Sequence, residues 1–189
     1  MDDIDRKLIS ELQIYGRTTF SKLGKLVGYS SMGVKKRLKK MLDLNAIKIT
    51  TLMNVNEFDL SAAVVLLEME NAEAMENLLE RFKNCPRVVN VFTTLGGYNL
   101  IAVIVAEDAD TLESISIEKC SLRSSKGIRR SELYPISRIK YEPFLAVREH
   151  LTHKDRVLSP CGVDCRPCQQ FKENKCVGCP TARYYRGAL

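Results

Sequence analysis

The chain has 189 residues, 28% of them charged and 45% hydrophobic, with a formal net charge of +6; at about 100–150 residues per domain this is enough for one large domain or two small ones. The longest apolar run, "LIAVIVA" at residues 100–106, falls far below the roughly 20 residues that cross a bilayer. The charged start "MDDIDRK" leads into no apolar secretory segment, so the composition excludes a membrane protein and predicts a cytoplasmic one.

The net charge hides an asymmetry. Residues 1–48 carry 11 Lys and Arg against 5 Asp and Glu, residues 49–120 carry 4 against 12, and residues 121–189 carry 14 against 6. A basic end suits a polyanionic partner, while the acidic middle needs a different explanation.

In the first segment Ile4, Leu8, Ile9 and Leu12 recur at helical spacing behind Asp2 and Asp3, and Gly16 stands where the helix should stop. Thr18 or Thr19 can cap a second, short helix carrying Phe20, Leu23 and Leu26 and closed by Gly28. A third helix starts at Ser30 and puts Val34, Leu38, Met41 and Leu42 on one face. Three short helices with a tight second turn predict a helix-turn-helix over residues 1–48. Residues 30–42 contain Lys35, Lys36, Arg37, Lys39 and Lys40 and no acid, a face that repels itself unless an anion covers it. The candidates for reading base edges of double-stranded DNA are Ser31, Met32, Lys35 and Lys36 near the start of this helix, with Ser30 and Arg37 as further DNA-binding candidates. Lys22, Lys25, Lys39 and Lys40 are placed for phosphates, which supply affinity without sequence information. A merely solvated lysine-rich face is the plain alternative. Gly33 inside the helix costs about 1 kcal/mol relative to alanine, which predicts a close backbone approach to DNA or to the second helix.

The pattern Ile4-Asp5, Gly16-Arg17, then Ser30, Val34 and Arg37 resembles the DNA-binding half of the leucine-responsive (Lrp/AsnC, feast/famine) transcription regulators, and the resemblance extends over about the first 145 residues. One departure is Asn45-Ala46-Ile47, where the family has Gly-Val-Ile; asparagine also tolerates a left-handed helix cap.

From residue 49 the period changes. A linker strand over residues 49–60 is followed by β-rich stretches "AAVVLLEM", "VVNVFTT" and "NLIAVIVA" with helices over residues 72–83 and 110–119, closing on "IRRSELYPI". The order strand, helix, strand, strand, helix, strand over residues 61–145 predicts an α+β, ferredoxin-like antiparallel sheet with helices on one face. Its other face needs cover, which predicts dimerisation; the resemblance implies homodimers through this domain and assembly up to octamers. "LGGYNL" at residues 95–100 reads as a hairpin turn around Gly96-Gly97. Within the resemblance, Gly96, Gly97, Tyr98 and Asn99 match the loop at the family's small-molecule effector site, with Asn99 where the family has aspartate. The loss of that carboxylate removes a charge-assisted partner for an ammonium group.

Beyond Pro143 a linker helix is expected, and residues 146–189 form an addition to the family pattern. There Cys161, Cys165, Cys168, Cys176 and Cys179 are spaced C-x3-C-x2-C-x7-C-x2-C. In a reducing compartment such a cluster binds metal or does redox chemistry sooner than it forms disulfides. Each C-x2-C pair can bring two sulfurs to one side of a tight turn, and the segment has few large apolar residues with which to fold alone. Four sulfurs complete a zinc site; the compact triad and the later Cys179-Pro180 equally suit a [4Fe-4S] cluster, and a fifth thiol would allow redox sensing. His150 and His153 read as surface residues, and Cys85 and Cys120 as small buried hydrophobes.

These features predict a sequence-specific DNA-binding regulator with a cysteine-rich metal module. The rival is an enzyme, because the two-domain architecture also resembles the sirohaem decarboxylases; yet residues 1–149 contain no histidine to serve such chemistry.

Overall fold

Helix α1 (Asp3–Ile14) begins where its sequence supplies a reciprocal cap: in the computed structural model, which describes residues 1–189, the Asp2 carboxylate accepts the Asp5 N–H and the Asp5 carboxylate accepts the Asp2 N–H. Thr19 caps α2 (Phe20–Val27) at Lys22 N, and Gly28 ends it at φ 74°. Ser30 caps α3 (Ser31–Asp43) at Gly33 N. Asn45 follows α3 in the left-handed region at φ 51°, as expected where the family has glycine. Leu8, Leu23, Val34, Leu38 and Met41 close into one core, each side chain stabilising the unit by about 1.5–3 kcal/mol. These helices make up a compact unit, Met1–Thr51.

The second unit is Leu52–Leu189. Its strands β2 (Ser61–Met69), β3 (Val88–Thr93), β4 (Leu100–Ala106) and β5 (Ile128–Pro135) form one antiparallel sheet in the order β3-β4-β2-β5. Helices α4 (Ala72–Phe82) and α5 (Ala109–Ile117) connect them, giving the ferredoxin-like topology. Alternation along β2 sends Ala63, Val65, Leu67 and Met69 into a core with Leu78, Phe82, Leu112 and Ile115 of the helices. On the opposite face Val64, Leu66, Ile101 and Val103 pair across strands but are only partly buried, beside the exposed Phe92 and Tyr134.

Three boundaries differ from expectation. The linker strand is only β1 (Met53–Asn54), and the residues after it make turns. No linker helix follows Pro143. Instead β6 (Phe144–Leu145) pairs with β1, Met53 opposite Leu145, and a single 3-10 turn follows at Glu149–Leu151; a partner strand distant in sequence has overridden the local helical preference. The C-terminal cysteine segment has one helical turn, α6 (Gln169–Lys172), and belongs to the same compact unit as the sheet. No helix is long and apolar enough to cross a membrane.

Candidate nucleic-acid interface and cysteine cavity

Because Val34, Leu38 and Met41 are buried, the helical period turns Ser31, Met32, Lys35, Lys36, Lys39 and Lys40 outward on α3. Lys39 pairs with Asp43 at 2.8 Å and Lys22 with Glu11 at 3.2 Å, but both lysine side chains are mostly exposed, so these pairs yield readily to phosphate. Lys25, Lys35, Lys36 and Lys40 make no ion pair. Two candidates are engaged inside the unit instead. The Ser30 hydroxyl is the α3 cap, and the Arg37 guanidinium donates to Asp2 at 2.7 Å and Asp5 at 2.9 Å while lying 5.2 Å from the Tyr29 ring centre. The Asp5 N–H and then Arg37 hold the Asp2 carboxyl below its usual range. Arg37 therefore clamps α3 to the start of α1.

The tight turn between α2 and α3 depends on Gly24, which sequence reasoning passed over. A Cβ there would stand 2.4 Å from the Tyr29 carbonyl oxygen, and the Tyr29 N–H donates to the Gly24 carbonyl at 2.9 Å. Gly33, by contrast, faces the Tyr29 side chain rather than a helix backbone. The signal for Gly24 was its place in the middle of an amphipathic helix, next to buried Leu23.

In the sheet unit the hairpin turn around Gly96-Gly97 is a connection over residues 94–99 between β3 and β4, in which neither glycine has positive φ. Asn99 is not a free ligand. Its side-chain amide accepts the Met69 N–H at 2.8 Å and donates to the Met69 carbonyl at 2.9 Å, completing the ladder where the β2–β4 pairing stops. Tyr98 lies beneath the Arg130 guanidinium, 4.8 Å from the ring centre, and its hydroxyl is buried without a hydrogen-bond partner. Burial pushes that phenol up to about 12. Beside it, Glu132 accepts from the Tyr134 hydroxyl and from Arg130 at 2.6 Å, and these donors, Tyr134 first, hold its carboxyl down at about 2. Tyr98, Arg130, Glu132 and Tyr134 thus form a polar cluster of both charges at the loop expected to meet an effector.

The cysteines divide unexpectedly. Cys161, Cys165, Cys176 and Cys179 line one cavity of about 50 Å³, and Cys168 does not; Cys168 packs against the small core of Cys165, Phe171, Cys179 and Ala182. The same cavity is lined by Cys85, between α4 and β3, and by Cys120, after α5. Those two residues, read from sequence as isolated hydrophobes, are thus brought to the cluster by the fold; no local spacing announces them. All seven cysteines are free thiols. Burial pushes the Cys85 thiol up to about 11 and raises those of Cys120, Cys161 and Cys165, which makes them poor nucleophiles as they stand. No group of three or more His, Cys, Asp or Glu side chains is disposed to hold a metal ion, and His150 and His153 are not among the lining residues. The segment is fastened to the sheet unit by Arg87, which donates to Glu107 at 2.6–3.1 Å and to the Gly178 carbonyl at 2.6 Å. Tyr185 also donates to Glu107, and Arg81 to the Cys161 carbonyl.

A helix-turn-helix with an outward lysine face, followed by an antiparallel sheet domain with a polar loop cluster, defines a DNA-binding regulator that carries a ligand-binding domain. Residues 1–42 match the AsnC-type helix-turn-helix domain and residues 62–143 the Lrp/AsnC ligand binding domain. The HTH-type transcriptional regulator Rv2324 of Mycobacterium tuberculosis is 32% identical over 134 residues, covering 70% of this chain and 88% of that protein. The regulator FL11 of Pyrococcus furiosus is 24% identical over 115 residues, 60% of this chain and 76% of its own. Among solved structures, E. coli AsnC superposes with a TM-score of 0.64 at 19% identity, over 75% of this chain and 95% of that one. The Neisseria meningitidis regulator NMB0573, solved as an L-Met complex, gives 0.66 at 20% identity, over 75% and 94%; both share the fold. The chain belongs to the Lrp/AsnC family of helix-turn-helix transcriptional regulators, which are not enzymes, and the sirohaem decarboxylase alternative finds no support among these relatives.

Proposed function

We propose that this regulator reads double-stranded DNA in the major groove with the exposed start of α3, using Ser31, Met32, Lys35 and Lys36. Lys22, Lys25, Lys39 and Lys40 hold phosphates, while Ser30 and Arg37 keep α3 in place. The single observation carrying this reading is that four of these lysines project from one helix face and three of those have no carboxylate partner. The partly apolar second face of the sheet pairs two copies, and the loop around Tyr98 is the seat of a small-molecule effector. With Asn99 committed to Met69, the groups left to recognise an effector are Tyr98, Arg130, Glu132 and Tyr134. An amino acid, the class bound in the NMB0573 complex, has the charges to meet Arg130 and Glu132.

The C-terminal cysteines add a second input, a thiolate-held metal centre, either zinc or an iron–sulfur cluster, whose loading or oxidation is sensed. The free thiols lining one cavity support this reading, as does a segment whose own core is only four buried residues. The test is selection of bound fragments from random DNA, with affinity then measured for wild type and for Lys35→Ala/Lys36→Ala, alongside zinc and iron analysis after anaerobic purification. A selected motif whose preference the double variant loses supports base reading by α3. Sequence-independent binding that the variant leaves unchanged refutes it.

A further inference from the structure

The reading of the cysteine segment as metal-binding, on which the following rests, leaves open where the ligands come from. Sequence spacing confines them to the segment itself, but the cavity does not. Of its 17 lining residues six are cysteines, and they arrive from three places: Cys85 from the turn between α4 and β3, Cys120 from the loop between α5 and β5, and Cys161, Cys165, Cys176 and Cys179 from the C-terminal segment. The remaining walls are mostly core side chains of the sheet unit, among them Val65, Phe82, Ile104 and Leu122. Such a wall excludes water and would strengthen the attraction between thiolates and a cation inside it.

Two features set the kind of centre. Single-ion zinc sites need four donors converging on one point about 2.3 Å from each sulfur, and no group of three or more His, Cys, Asp or Glu side chains is disposed to hold a metal ion as the chain stands. The six cysteines are among the residues that line an interior of about 50 Å³. A cavity needs roughly 10–15 Å³ to hold one water, so the interior has room for more than a single heavy atom. Soft thiolates lining such a space in an apolar wall are the chemistry of an iron–sulfur cluster.

We propose that these six cysteines form one composite site for an iron–sulfur cluster, with Cys85 or Cys120 of the ligand-binding domain supplying at least one ligand beside those of the C-terminal segment. Loading then ties the segment to the ends of α4 and α5, the helices that lie on the sheet. It adds to the fastening already made by Arg87 to Gly178 and by Arg81 to Cys161. Cys168, turned into the segment's small core, is not a ligand.

The experiment is anaerobic iron–sulfide reconstitution of the full chain, followed by iron, acid-labile sulfide and zinc per chain, a visible spectrum, and limited proteolysis of the segment. It compares wild type, Cys168→Ala, Cys176→Ala, and the double variants Cys85→Ala/Cys120→Ala and Cys85→Ser/Cys120→Ser. Circular dichroism and DNA affinity establish that each variant is folded. The expected result is iron and sulfide in wild type and Cys168→Ala, and their loss in Cys176→Ala. In both double variants the expected result is a lost or altered spectrum together with faster cleavage of the segment. Wild-type iron, spectrum and protection in folded double variants would overturn the composite site and leave a centre confined to the segment. Colourless protein with about one zinc per chain would overturn the cluster while the metal-binding reading survives. Wild-type chain holding neither metal would overturn both.

Discussion

Asn99→Asp restores the residue that the family pattern has at this position, yet the structure predicts that it weakens this protein. The asparagine amide makes two bonds to one residue, accepting from Met69 N–H at 2.8 Å and donating to the Met69 carbonyl at 2.9 Å. A carboxylate keeps the first and loses the second, placing an anionic oxygen against a carbonyl oxygen at about the same separation. A lost hydrogen bond costs about 0.5–1.5 kcal/mol and an unsatisfied, half-buried carbonyl about 1–3, so the expected loss at pH 7 is about 1–3 kcal/mol. With a urea slope of about 1–3 kcal/mol/M, a 2 kcal/mol loss lowers the unfolding midpoint of the sheet unit by on the order of 1 M. The sign of the pH dependence checks the cause. Only the protonated acid can donate to Met69, so folding raises this aspartate's pKa above its unfolded value. The variant therefore approaches wild-type stability as pH falls below that folded pKa, and the deficit is fully present well above it. Urea melts of the full chain at several pH values measure both. An unchanged midpoint at pH 7, or a deficit that does not shrink in acid, refutes the reasoning.

Other substitutions test the remaining contacts. Gly24→Ala drives a Cβ to 2.4 Å from the Tyr29 carbonyl and is expected to cost on the order of 1–3 kcal/mol. Gly33→Ala meets the Tyr29 ring and the Ser30 hydroxyl at 3.3–3.4 Å and is expected to cost less than Gly24→Ala, with a gain of up to about 1 kcal/mol where the Tyr29 ring shifts by a few tenths of an ångström; urea melts of the helical signal rank the two. If Lys25 and Lys40 hold phosphates, each alanine substitution lowers the slope of log affinity against log salt by about 1, read by titrating DNA at several salt concentrations. Arg87→Ala leaves Glu107 buried without its cation and should destabilise the sheet unit by about 3–5 kcal/mol, measured as a shifted unfolding midpoint. For Glu132, whose folded pKa of about 2 lies below its ordinary 4.5, the stabilisation is present above pH 4.5 and lost as pH falls toward 2. Thermal melts should accordingly show the gap between wild type and Glu132→Gln closing across that interval.

The helix-turn-helix was legible because its determinants are local. Asp2, Thr19 and Ser30 cap helices within three residues of themselves, Gly28 and Asn45 take the left-handed positions that end them, and the lysine face follows from the helical period alone. The ferredoxin-like order was legible too, since β-rich runs and amphipathic helices follow one another along the chain, but the continuous apolar runs of β2 and β4 do not declare which side chains face the helices. What sequence could not decide were contacts between residues far apart in the chain. Arg37 looked like one more basic residue for DNA until Asp2 and Asp5, more than thirty positions away, were seen to hold it. Asn99 looked like an effector ligand until β2 brought Met69 beside it. The strand at Phe144–Leu145 replaced an expected helix because Met53–Asn54 lay ready to pair with it. Above all, Cys85 and Cys120 stand alone in the sequence, with no neighbouring cysteine to mark them. Only the packing of the C-terminal segment against the ends of α4 and α5 brings their thiols to the cavity shared with Cys161, Cys165, Cys176 and Cys179. Spacing reveals a site whose ligands are close along the chain; a site assembled across a domain exists only once the chain has folded.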